Sequence, residues 1–165
     1  MLLWLTTLFF LSTALLGLVD LLTFKPNPVG HMSGNGNPAL LAIFVFVPAY
    51  LAFVLLLGIL SFLFFRSGFR SGKLFAEWII IAFFGGCLLV WLVKMHAQGI
   101  FYTLGGKPSD PDSLITGWSM FNQYTNMVYF NYLTYSLGML VSILIGYFAA
   151  LAIWYDSRKS GNRKE

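Results

Sequence analysis

Charge is what this chain has least of: only 10% of its 165 residues are Asp, Glu, Lys or Arg, where soluble domains carry about a quarter. With 58% of the residues hydrophobic, no water-soluble fold of this size has interior enough to hide them. Cysteine is almost missing. Cys87 stands alone, so no internal disulfide can form, and its place beside Gly85 and Gly86 reads as a small packing residue. The chain also lacks a lipidation motif, a clear internal repeat and a low-complexity tract. An enzyme needs a nucleophile with its base, or a metal triad, on one accessible surface, and no such set can be assembled.

What the sequence has in abundance is long apolar runs, at 1–24, 39–65, 74–93 and 127–155. A hydrocarbon layer about 30 Å thick is crossed by about 20 apolar helical residues, and each run meets or nearly meets that length. The prediction is an all-α, polytopic integral membrane protein. It is a single domain, a four-transmembrane-helix bundle with spans at about 2–23, 39–65, 74–94 and 127–155. The first run has no basic start, exceeds a signal core and is followed by no A-x-A pattern, so it reads as a retained helix.

Basic residues near a span stay on the cytoplasmic side during insertion. Arg66, Arg70 and Lys73 fall in the turn at 66–73, and Arg158, Lys159, Arg163 and Lys164 in the tail at 156–165. The other face has only Lys25, Lys94 and Lys107, with Asp20, Asp110 and Asp112. Both termini are therefore expected in the cytoplasm, with the plasma membrane as the expected site. The net charge of +4 then serves sidedness and lipid contact, and no nucleic acid is needed to explain it.

Of the two outer loops, 24–38 is rich in Gly, Asn and Pro and reads as tight turns. The loop at 95–126 is long enough to fold back on the membrane. In it Asp110 suits an N-cap, Pro111 the first helical position and Asp112 the positive helix end, which predicts a short interfacial helix. Trp118, Tyr124, Tyr129 and Tyr132 fall where an outer aromatic belt belongs.

In lipid, helices associate by close backbone approach at small residues. Gly138, Ser142, Gly146 and Ala150 recur every four residues along the fourth span and form the clearest seam, expected to seat another span of the same molecule. Thr13 with Gly17, and Gly85 with Gly86, offer shorter counterparts, and Pro48 is expected to kink the second span. Ser12, Thr13 and Ser142, the polar residues nearest the centre, can bond their own helix carbonyls.

Ionisable groups near spans are functional suspects because charge at the bilayer centre costs several kcal/mol. Asp20 and Lys94 fall at one outer level and are candidates for an ion pair, and Glu77 follows Lys73 by one turn. All three are also candidates for lining a path. His31 with Met32, and Met95 with His96, are weak copper or haem ligand candidates; no cofactor is expected. The outer amides and phenols, Asn122, Gln123, Asn126, Tyr129, Asn131 and Tyr135, could hydrogen-bond a lipid headgroup, a quinone or a partner loop. The expectation is a small non-enzymatic accessory or assembly subunit whose partners are membrane lipid, other membrane subunits or itself. A homo-oligomeric transporter or channel, and a redox or metal protein, are the alternatives.

Overall fold

The computed structural model describes residues 1–25, 36–71 and 75–161. They form five helices: α1 (Leu2–Leu22), α2 (Ala39–Arg70), α3 (Ala76–Thr103), α4 (Asn126–Tyr129) and α5 (Tyr132–Gly161). The described residues contain no strand. Four of the helical segments are long and apolar enough to cross a membrane, the last running from α4 through α5.

Each helix end has a local cause. The Asn37 side chain accepts from the Ala39 N–H at 3.2 Å, and Pro38 at the start of α2 has no N–H to leave unpaired. α2 passes through Pro48 and continues to Arg70, so most of the expected basic turn is helical. Phe75, immediately before α3, has a φ of 54°, the left-handed conformation. Its ring covers Gly68, where a Cβ would overlap it, and packs edge-on against Phe65.

α3 ends at Thr103, nine residues beyond the expected 94. Gly106 N–H bonds the Phe101 carbonyl at 2.9 Å and Gly105 N–H the Tyr102 carbonyl at 3.1 Å, with Gly105 at φ 72°. This is the glycine-dependent Schellman closure. α5 begins at a capping box: Asn131 Oδ1 accepts from the Leu133 and Thr134 N–H groups, and Thr134 Oγ1 accepts from the Asn131 N–H.

The helix expected after Asp110 does not form. Asp110 instead closes a turn, its carboxylate accepting from the Lys107 N–H at 2.7 Å while its carbonyl accepts from Thr116 Oγ1 at 2.6 Å. Residues 104–125 are successive turns and bends, and the only helix between α3 and α5 is the single turn of α4. Asp and Pro satisfied their local groups in turns as readily as in a helix start.

The helices pack in the order α1–α2–α5–α3, with α2 and α5 the most extensive neighbours. α1 runs antiparallel to α2: Val19 packs near Ala39 and Ile43, while Leu5 and Phe9 reach the cluster around Phe53. α2 and α5 run parallel. Tyr50 lies at Gly138, Val54 at Ser142 and Gly58 at Gly146, one constant offset repeated every four residues. The Arg66–Arg70 end of α2 and the Arg158–Lys159 end of α5 therefore lie at the same end of the bundle.

α3 is the outlying helix. None of its residues is buried, and its long-helix neighbour is α5.

Candidate functional site

The end of the bundle away from Arg66 and Arg158 is closed by a folded loop with its own small core. Leu104, Ile115 and Tyr124 pack with Phe24, Ile100 and Trp118, joining the ends of α1 and α3 through the loop. Phe24 N–H bonds the Gln123 carbonyl at 2.9 Å, and Leu114 N–H the Leu104 carbonyl at 2.9 Å. Ser113 Oγ donates to the Leu104 and Gly106 carbonyls beneath. Tyr124 and Trp118 thus belong to a core, with rings 5.8 Å apart, and only Tyr129 and Tyr132 of the expected belt stand exposed.

The polar cluster predicted at this end is turned inward, except for the exposed Tyr129. Asn126 is 0% exposed, Asn131 3%, Tyr135 6% and Asn122 7%. Asn37 Nδ2 donates to Asn126 Oδ1 at 2.8 Å and Asn126 Nδ2 returns the bond to Asn37 Oδ1 at 2.9 Å. Asn122 Nδ2 donates to the Ser119 carbonyl, and its Oδ1 accepts from the Tyr124 N–H. Asn131 caps α5. These amides are spent holding the chain together, because a buried amide left unpaired costs about 1–3 kcal/mol. Residues 119–125 lie outside any helix, so these side chains share no single helical face.

Tyr135 points down to α1, where its hydroxyl shares a 2.9 Å hydrogen bond with Ser12 Oγ and accepts from Thr13 Oγ1 at 3.4 Å. Ser12 also bonds its own Leu8 carbonyl at 2.6 Å. Tyr50, which sequence reasoning passed over, donates to the Tyr135 carbonyl at 2.7 Å. It was the one phenol in an otherwise apolar run. A polar handle there signals a partner inside the bundle.

The seam of Gly138, Ser142, Gly146 and Ala150 seats α5 on α2. A Cβ at Gly146 would stand 2.6 Å from the Gly58 carbonyl oxygen and 2.8 Å from Phe62 N. Ser142 Oγ donates across the seam to the Val54 carbonyl, not within its own helix. Gly58 is the missed partner; its own Cβ would lie 3.0 Å from Ser142 Oγ. Gly86 meets Leu140 of α5, whereas Gly85 and Gly99 face open space and Cys87 is exposed, so the expected packing role of Cys87 does not hold within the chain. Gly17 abuts the Tyr132 hydroxyl.

The charged candidates do not converge. Asp20, Lys94 and Glu77 are all exposed, and Asp20 and Lys94 form no ion pair, because α1 packs on α2 and α3 on the far side of α5. His31 and Lys73 lie outside the described residues. His96 keeps a buried Nε2 with no hydrogen-bond partner, and among the described residues no three His, Cys, Asp or Glu side chains gather to hold a metal.

An opening of about 480 Å³ lies at the loop end, lined by Gln98, Tyr102, Lys107 and Asp110, and two apolar openings lie lower. One of about 390 Å³ runs between α2 and α5, floored by Gly58, Ser142 and Gly146. Another, of about 440 Å³, opens between α3 and the α2–α5 pair and is lined by Phe64, Trp78, Ile79 and Leu144. Comparisons with known protein families, with curated proteins and with solved structures found no match.

Proposed function

We propose that the chain is a small non-enzymatic integral membrane protein, an accessory or assembly subunit that binds other membrane components through the open flank of α3. The unburied α3 carries this reading. A helix of 28 residues touches the rest of the molecule along one side, while Phe83, Phe84, Trp91 and Ile81 stand more than half exposed. Gly85 and Gly99 on it meet nothing within 4 Å, and such small residues let another helix approach closely.

Four helices long and apolar enough to cross a bilayer support insertion. The positive-inside rule supports a cytoplasmic position for the end bearing Arg66, Arg70, Arg158 and Lys159, hence for both termini, with the plasma membrane as the proposed location. The outer cap contributes stability here, not recognition, because its amides are already paired.

The test is a photo-crosslinking amino acid placed at Phe84 on α3 and, as a control, at Leu41 on α2, which is 82% exposed. Discrete polypeptide adducts from Phe84 and lipid adducts alone from Leu41 support the subunit reading. Lipid adducts alone from both positions, in native membranes, reject it.

A further inference from the structure

We propose that the groove between α2 and α5 binds one anionic phospholipid, an acyl chain lying along the small-residue floor and the phosphate meeting Arg66. The proposal rests on the membrane reading above.

Gly58 and Gly146 bring the two backbones so close that a trough of about 390 Å³ forms beside their contact, walled by Ile59, Phe62 and Ile145. The floor offers no spare polar group, since Ser142 has committed its hydroxyl to the Val54 carbonyl. Such a surface takes hydrocarbon. Arg66 stands at its end, on the stripe of α2 that carries Val54, Gly58, Ile59 and Phe62, as the 3.6-residue repeat requires.

The Arg66 guanidinium lies over the Phe62 ring, 5.8 Å from its centroid. One face of the cation is thereby occupied, and its in-plane N–H fork remains for a phosphate, which it can hold in two parallel hydrogen bonds. Asp156, the carboxylate that the same face of α5 carries beyond Ala149, forms no ion pair with it.

Length decides between a lipid tail and a foreign helix. About 18 Å of α2 separates Arg66 from Val54, at 1.5 Å per residue. A spanning helix needs about 30 Å of seat, while one leaflet's tail needs about half of that. The headgroup level and the basic end of the bundle coincide at Arg66.

The experiment is native mass spectrometry of the intact protein in detergent, titrated with phosphatidylglycerol or with phosphatidylcholine of the same chains. Wild type is expected to retain one phosphatidylglycerol roughly tenfold better than phosphatidylcholine, the scale of one charge-assisted contact. Arg66→Gln removes that preference, and Ala149→Phe, which fills the groove from an exposed position, weakens both lipids. Arg158→Gln changes neither, because Arg158 lies over Trp154 on the side of α5 that packs against Phe69.

Equal retention of the two lipids by wild type, or an equal loss in Arg158→Gln and Arg66→Gln, overturns the proposal. So does a photo-crosslinker at Ile145 that tags a polypeptide. Should Ala149→Phe fail to give helical, monodisperse protein, Ala149→Leu is read in its place. Failure of the membrane reading appears separately, as release of the protein from membranes by alkaline carbonate.

Discussion

Tyr50 and Gly138 share one space: the tyrosine hydroxyl lies where a side chain at 138 would begin, and from there it donates to the Tyr135 carbonyl at 2.7 Å. Gly138→Ala must therefore push the ring aside and break the bond together. The expected loss is about 1–3 kcal/mol, the usual range for overpacking. Tyr50→Phe, which removes only the hydroxyl, should cost nearer the ~0.6 kcal/mol average of interhelical hydrogen bonds in membranes. Unfolding titrations in mixed micelles read both, and equal costs would refute the shared-space account.

The glycines of α3 and α5 should behave in opposite ways. Gly146→Ala sets a methyl against the Gly58 carbonyl and Phe62 N, forcing α2 and α5 apart. Gly85→Ala meets open space and replaces the poorest helix former but proline, a gain of about 0.5–1 kcal/mol. Thermal melting in detergent should show the first variant lowered and the second raised. A lowered Gly85→Ala would mean that α3 has a neighbour on that flank.

Asn37 and Asn126 form a reciprocal amide pair, Asn126 fully buried and Asn37 half-buried, so Asn37→Ala strands a buried amide while Asn126→Ala strands one that solvent partly reaches. Asn37→Ala should cost about 1–3 kcal/mol, the desolvation of one unpaired buried group. The double variant should cost less than the sum, with a coupling of about 0.5–3 kcal/mol in the double-mutant cycle. Strict additivity would show that the two side chains act separately.

Sidedness can be read with a single thiol. In a Cys87→Ser background, Ser109→Cys in the outer loop should react with an impermeant maleimide on intact cells, and Ser157→Cys near the end of α5 should not. Labelling of Ser157→Cys from outside would invert the topology and move Arg66 to the other leaflet.

The long helices are readable from sequence because length and apolarity suffice to specify them. Their ends are harder. The third span was expected to end at Lys94, yet polarity alone does not stop a helix, and α3 runs on until Gly105 and Gly106 supply its closure. The run Asp110-Pro111-Asp112 satisfies a helix start and a turn about equally, and nothing local separates them. The seam on α5 was visible as a four-residue repeat. Its mate was not, because Gly58 belongs to no four-residue repeat of small residues in α2 and only the parallel register reveals it. The outer amides were legible as residues but not as pairs, since Asn37 and Asn126 are 89 positions apart.

The parallel register of α2 with α5 sets an order of events at the ribosome. Neighbouring α1 and α2 can associate as a hairpin soon after both are made, but α2 must then wait through α3 and the whole outer loop before its proper mate emerges. During that interval the stripe bearing Gly58 stands without the helix that covers it in the finished fold.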